Sequence, residues 1–217
     1  MRAAVCQDLP GHFGPISSSG IWNRVQNYKL DRIYFDIRQI TTEIIDYCTK
    51  KSTLAGINIV PSWFNEDLAQ AALRTTRKLN ELGFVGAKAA APCPILFDWE
   101  EHSIEKTAAG LKAWRATRQK RDTVWSMEPL QGGWVGDRQM REVIVPDKNL
   151  ILMPQVYRSQ MQPVAQDACY KDLLRFYPPG QVKLYYQSFQ PYGPSSINYP
   201  PPEAWDGCVY DLEHLPL

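Results

Sequence analysis

Short apolar runs alternate along this chain with stretches of helical periodicity, and this alternation constrains the fold more than any other sequence feature. The runs are rich in β-branched and aromatic residues, as strands are, and they recur about every 20–35 residues. We predict eight strands, at residues 3–8, 32–37, 56–61, 92–100, 122–128, 150–157, 182–189 and 207–212. Helical patterns are predicted at 21–28, 42–51, 65–82, 103–120 and 163–177, with at most one helical turn in 137–148.

Eight strand–helix units favour a closed α/β barrel, a single (β/α)8 TIM-like barrel. Such barrels are typically about 250 residues long, with about 200 as the lower bound, and this chain has 217 residues. We therefore predict one barrel domain over residues 1–217. The alternative is an open doubly wound sheet, but no glycine-rich phosphate-binding turn follows the first predicted strand.

The composition excludes several classes of partner. The chain has 24 basic and 23 acidic residues, a net charge of +1, so nothing in it favours nucleic acid or an anionic membrane surface. No apolar segment approaches the ~20 residues of a membrane helix, and no signal peptide is recognised at the N-terminus. We expect the protein to stay in the cytoplasm of the producing cell, or to leave it by lysis or inside a particle. The cysteines are odd in number and widely spaced, which indicates buried thiols rather than disulfides or zinc ligands.

The fourth predicted strand carries the most informative chemistry. Its apolar core is followed by Asp98, Trp99 and Glu100. Because side chains alternate along a strand, Asp98 and Glu100 point to the same side, with Cα atoms roughly 6.5–7 Å apart. Catalytic groups of (β/α)8 enzymes lie at the carboxyl ends of the strands, so this pair is a candidate active site.

Other polar residues also follow the ends of predicted strands. They are Asp8, Asp36, Glu128, Gln187, Asp211 and, less directly, Glu213. Acids gathered at one barrel mouth raise one another's pKa, so that at least one can stay protonated near neutral pH. Cleavage of a glycosidic bond uses such an acid together with a second carboxylate. The sequence therefore permits such a pair, but it does not set the separation of the two carboxylates.

Three other interpretations of these residues stay open. Strand-end acids can cap helices or pair with neighbouring cations, as Asp36 can with Arg38. Acids and histidines recur together near His102 and His214, and the metal alternative would place an ion among Asp98, Glu100 and Asp211. We expect neither a metal nor a cofactor. A nucleophilic hydrolase is disfavoured because no Gly-x-Ser-x-Gly motif occurs.

The order of these motifs resembles a known family. An aspartate ends the first strand, Asp-x-Glu ends the fourth, Tyr185-Tyr186-Gln187 lies in the seventh and Tyr210-Asp211-Leu212 in the eighth. This order resembles the family 25 glycoside hydrolases, lysozyme-type barrels that cleave peptidoglycan. The resemblance implies Glu100 as general acid, Asp98 as its partner, and Asp8 and Asp211 as acids that position substrate. It also suggests Trp125, Trp134 and Tyr157 as sugar contacts.

Two functions follow from this reading. The first is an enzyme that acts on cell-envelope polysaccharide. The second is a non-catalytic structural or adhesion component of a phage tail, because glycosidase-like barrels also resemble domains of minor tail proteins. That function adds virion tail proteins to the expected polysaccharide partner. The proline-rich stretch 191–206 is a candidate lid or docking surface in either case.

Overall fold

A closed parallel barrel forms the centre of this computed structural model, with strands in the order β1 to β8 and β8 pairing with β1. The structure describes residues 1–83, 93–101, 103–117, 121–127, 136–156, 163–188, 205–215 and 217, without the side chains of 62, 163–167 and 188. The predicted fold class is confirmed. The strands are β1 (Arg2–Cys6), β2 (Arg32–Asp36), β3 (Leu54–Ile59), β4 (Ile95–Asp98), β5 (Thr123–Met127), β6 (Leu150–Pro154), β7 (Lys183–Ser188) and β8 (Gly207–Asp211).

Six α-helices among the described residues alternate with these strands. They are α1 (Ser19–Tyr28), α2 (Thr42–Lys50), α3 (Leu68–Glu81), α4 (Ile104–Thr117), α5 (Arg138–Ile144) and α6 (Pro163–Phe176). The segment expected to hold at most one helical turn contains α5. A π-helical turn, Leu9–Phe13, lies between β1 and α1. Within the described ranges, no helix is both long enough and apolar enough to cross a membrane.

Short polar side chains begin several helices where the sequence places them. Thr41 accepts a hydrogen bond from the Ile44 backbone N–H at 3.2 Å, and Asp67 accepts one from Gln70 N–H at 2.8 Å. Asp137 caps α5 in the same way. Each cap satisfies a backbone donor that the first helical turn leaves free. The helix predicted at 65–82 therefore starts later than expected, because Asp67 is its cap.

The strands separate two apolar cores. The inner core fills the barrel and consists of Ala3, Val5, Tyr34, Leu96, Val124, Ile151, Met153, Tyr185 and Val209. The outer core lies between the barrel and its helices and includes Phe97 and Trp114, whose rings are 5.4 Å apart. Side chains alternate across a strand, so a residue next to an inner-core residue on the same strand points outward toward the helices. A residue next to an outer-core residue points into the barrel.

The two ends of the barrel interior differ in chemistry. At the amino end, Arg32 donates to the Tyr34 hydroxyl at 2.8 Å and pairs with Asp122 at 3.6 Å. Gly56 lies beside this pair, and a Cβ there would come within 2.6 Å of the Tyr34 ring. At the carboxyl end, polar residues replace the apolar ones. This polarity marks the carboxyl end as the end that can carry a site.

Candidate active site

A layer of polar side chains closes the inner core at the carboxyl ends of the strands. Five of its six members lie two residues beyond an inner-core residue on the same strand, and they therefore face inward. The sixth, Asn58, faces inward because its neighbours Ile57 and Ile59 point into the outer core. We call this set the polar layer: Asp36, Asn58, Asp98, Ser126, Gln187 and Asp211. All of them are buried except Asp98, which is partly exposed. The closed parallel barrel brings residues from six strands to one mouth.

The side-chain amide of Gln155 joins the two carboxylates of the fourth strand. Its Nε2 lies 2.8 Å from Asp98 Oδ1 and 2.6 Å from Glu100 Oε1. The same nitrogen is 3.2 Å from Ser126 Oγ, and that hydroxyl donates to Gln187 Oε1 at 3.0 Å. The predicted convergence of Asp98 and Glu100 on one side is present, and the network around them draws on β4, β5 and β7 and on the residue that follows β6.

The shared amide limits the distance between the carboxylates. Two oxygens at 2.8 and 2.6 Å from one nitrogen are at most about 5.4 Å apart. Retaining glycosidases hold their carboxyl groups about 5–5.5 Å apart, whereas inverting enzymes need about 6.5–9.5 Å to admit a water molecule. The two oxygens bound to Gln155 are therefore closer together than the carboxyl groups of an inverting enzyme, which must leave room for a water molecule.

The electrostatics of the pair raise the pKa of Asp98. Burial is the larger cause and the charge of Glu100 the second, and together they raise the pKa of Asp98 from 3.8 to about 6. Hydrogen bonds from Ser126 and Gln155 act in the opposite direction. Asp98 is thus the acid at the mouth whose pKa is raised, as the sequence analysis expected of at least one acid there. Glu100 is the exposed member of the pair.

A groove of about 750 Å³ opens beside Glu100, between the amino ends of α3 and α4. Asp67, Trp99, Glu101 and Lys106 are among the residues that line it. Glu101 is engaged locally, because it accepts from the Ser103 N–H at 3.0 Å and lies 3.6 Å from Lys106 Nζ. Glu100 itself borders the groove, and it also accepts a hydrogen bond from Gln155.

A second cluster of acids lies where β8 meets β1. Asp211 Oδ2 is 2.7 Å from His214 Nδ1, and Asp211 Oδ1 accepts from the Glu213 N–H at 3.1 Å. Glu213 Oε1 accepts from the Asp8 N–H at 2.8 Å, and His12 lies between Glu213 and Asp8 at 3.6 and 3.7 Å. Asp8 and Asp211 thus lie together at the mouth, but both act locally as caps.

Asp36 has the local partner that its neighbour in the sequence suggested. Both of its carboxylate oxygens accept from the Arg38 guanidinium at 2.8 Å, and the Arg38 N–H is a further donor at 2.8 Å. The carboxylate is buried while Arg38 extends to the surface. Asp36 therefore anchors a cation at the rim of the mouth.

The structure does not fit the predicted sugar contact of Trp125. Its side chain is 1% exposed and packs in the outer core, stacked on Phe97 at 6.3 Å, with its N–H donated to the Trp99 carbonyl at 3.1 Å. An indole with both faces covered cannot stack on a sugar. The next residue, Ser126, faces the mouth instead. Glu128, Trp134, Tyr157 and His102 lie outside the described residues, as does nearly all of the 191–206 stretch.

Gln155 and Ser126 are site residues that the sequence analysis missed. The sequence analysis selected acids at the carboxyl ends of the predicted strands, a criterion that we call the strand-end rule. Both residues meet the same criterion, because each lies at or just after the end of a strand with its side chain directed into the barrel. Extending that rule to amides and hydroxyls would have found them. Among the described residues, no group of three or more potential ligands could hold a metal ion, so the metal alternative gains no support.

Fold and site together define a (β/α)8 barrel with a carboxylate pair at the carboxyl end of its fourth strand. No protein-family model and no curated protein matches this sequence. Among solved structures, the chain is similar to the endo-beta-N-acetylglucosaminidase from Cordyceps militaris in apo form. The TM-score is 0.60 and the identity 9%, over 97% of this chain and 80% of that chain. At this identity the likeness shows a shared fold.

Proposed function

We propose that this barrel is a retaining glycoside hydrolase that cleaves a polysaccharide containing N-acetylated hexosamine. The observation that carries the proposal is the Asp98–Gln155–Glu100 arrangement, in which the two bound carboxylate oxygens lie closer together than inversion requires. The structural neighbour is named as an enzyme for N-acetylglucosaminides, which supports this class of substrate. The resemblance to family 25 hydrolases supports peptidoglycan, a cell-envelope polysaccharide, as the particular substrate.

In this proposal Glu100 is the general acid and Asp98 its partner. Glu100 is exposed and borders the groove, so it can reach the oxygen of a leaving group. Asp98, deeper in the mouth, stabilises or attacks the oxocarbenium-like carbon. An acetamido group of the substrate can take the nucleophilic role instead.

The remaining predicted residues have supporting roles in the proposal. Gln187 orients Ser126, and through it the Gln155 amide. Asp36 and Asp211 complete the polar layer, and Asp8 lies beside Asp211 at the rim. Glu128, Trp134 and Tyr157 stay predicted sugar contacts.

Turnover on defined glycans tests the proposal. Wild-type protein is expected to release reducing ends from peptidoglycan or from N-acetylglucosamine oligomers, with NMR showing the product anomer of retention. Glu100→Gln should reduce kcat by about 10²–10⁴-fold, the range for loss of a general acid. Glu43→Gln changes an exposed glutamate on α2 and should leave kcat unchanged. Unimpaired turnover by Glu100→Gln would refute the assigned role.

The second candidate is a non-catalytic structural or adhesion component of a phage tail. This candidate requires a mouth that binds glycan without cleaving it, and the polar layer supplies hydrogen-bonding groups for such binding. This candidate predicts glycan binding with no turnover at any pH, together with copurification of the protein with virions. Turnover lost specifically in Glu100→Gln would exclude it.

A further inference from the structure

Trp63 differs from the other tryptophans that the structure describes. Five of them are buried: Trp22, Trp99, Trp114, Trp125 and Trp205. Trp63 is 53% exposed and lies in the short 3-10 helix Pro61–Phe64 that directly follows β3. The carboxyl end of β3 is part of the mouth, so this exposed indole lies at its rim. The flat face of an indole is a surface on which the C–H face of a sugar ring can stack.

The indole is held by neighbouring groups. The Trp63 backbone N–H donates to the Val60 carbonyl at 3.0 Å, which fixes the turn that carries it. The Arg38 guanidinium lies 5.9 Å from the Trp63 ring and 5.6 Å from the Phe64 ring, within cation–π range. Asp36, a member of the polar layer, fixes that guanidinium through two hydrogen bonds. A chain of contacts thus connects the exposed ring to the inside of the mouth.

Asn58 supplies an independent observation at the inner end of this chain. It is 3% exposed, faces inward from β3, and is the register partner of Asp36. Its Oδ1 is buried and has no hydrogen-bond partner. An unpaired buried polar group costs about 1–3 kcal/mol, so a group retained there needs an explanation. A donor from a ligand that enters the mouth would supply the missing hydrogen bond.

We propose that Asn58, Arg38 and Trp63 form a sugar-binding subsite on the β2–β3 side of the mouth. Its ligand is an N-acetylated hexosamine unit of a glycan chain, next to the unit held by Asp98 and Glu100. Trp63 stacks on the ring face, and Asn58 Oδ1 accepts a hydrogen bond from an amide N–H or a hydroxyl. The subsite rests on the proposed function in taking a glycan as ligand, but it does not depend on cleavage.

Exposure alone does not distinguish Trp63, because Leu73 on α3 is 54% exposed. Single apolar residues on a surface are ordinary and need no ligand. What sets Trp63 apart is its place at the mouth and its held orientation. Leu73→Ala is therefore a matched control, since it removes a comparable exposed side chain from an element outside the mouth.

Binding of β-1,4-linked N-acetylglucosamine oligomers to the full chain tests the subsite. Titration calorimetry should show that Trp63→Ala weakens binding of the tetramer at least tenfold, while Trp63→Phe retains most of the affinity and Leu73→Ala all of it. The dimer, which fills fewer positions, should lose less. Asn58→Ala should reduce the preference for the N-acetylated tetramer over the glucose tetramer. Wild-type-like tetramer binding by Trp63→Ala would overturn the proposal.

The outcomes separate this subsite from the proposed enzyme. Trp63-dependent binding without any cleavage leaves the subsite standing and removes the hydrolase. Cleavage that is equal in wild type and Trp63→Ala at every chain length removes the subsite and leaves the hydrolase. A wild type that neither binds nor cleaves these oligomers overturns the subsite, and it overturns the hydrolase as well when peptidoglycan is also left uncleaved. Where the enzyme is active, Trp63→Ala should raise KM for long oligomers and leave kcat unchanged.

Discussion

Replacement of Asp98 by asparagine should stabilise the protein at neutral pH and weaken its function. The raised pKa means that the folded protein binds a proton at Asp98 more tightly than the unfolded chain does. Stability from this group is therefore full below pH 3.8 and is lost as pH rises to about 6. Above pH 6 the ionised carboxylate costs about 3 kcal/mol relative to the protonated one. Asparagine keeps the shape and removes this cost.

Thermal unfolding between pH 4 and pH 8 measures the effect. About 1 kcal/mol corresponds to about 2–4 °C in a protein of this size, so Asp98→Asn should exceed wild type by up to about 6–12 °C at pH 7. The difference should approach zero at pH 4. Asp46→Asn, which changes an exposed carboxylate on α2, should show no such pH-dependent difference. A pH-independent difference, or a loss of stability at pH 7, would refute the reasoning.

Three further predictions concern the site and its packing. Gln155→Ala removes a hydrogen bond that lowers the pKa of Asp98, so the acidic limb of a pH–rate profile should move to higher pH. Gly110→Ala should lower stability by about 1–3 kcal/mol in thermal unfolding, because a Cβ there would lie 2.6 Å from the Trp99 ring. Cys169 is the partly exposed thiol, so it should react first with a thiol reagent in the native protein, slowly because its pKa is raised to about 11.

Each of these predictions has a direct control. Gln70→Ala removes an exposed glutamine from α3 and should leave the pH–rate profile unchanged. Gly20→Ala meets no atom closer than 3.6 Å and should not destabilise α1. Labelling in urea should reach all five cysteines. Equal native labelling of Cys48 and Cys169, or a stable Gly110→Ala variant, would contradict the packing described for these positions.

The strand-end rule determined much of the site from the sequence. The period of two along a strand placed Asp98 and Glu100 on one side, and the structure shows both at one amide. The same period could have shown that Trp125 points away from the mouth, because adjacent residues face opposite sides. The pairing of Asp36 with Arg38 is also local, since only one residue separates them.

The contacts that complete the site are long-range. Gln155 reaches Glu100 across 55 positions, Ser126 reaches Gln187 across 61, and Asp8 reaches Glu213 across 205. The sequence does not specify the register between strands, and the register decides which strand-end side chains lie within hydrogen-bond distance of one another.

The sequence by itself determined the architecture, because alternating apolar runs and amphipathic helices can bury their surfaces together in few ways. It also determined which residue types stand at the ends of the strands. The tertiary structure decided which of them share a hydrogen bond and which are buried, and hence that the pKa of Asp98 is raised. Burial and charge proximity depend on distances in space, and only the closed barrel sets those distances.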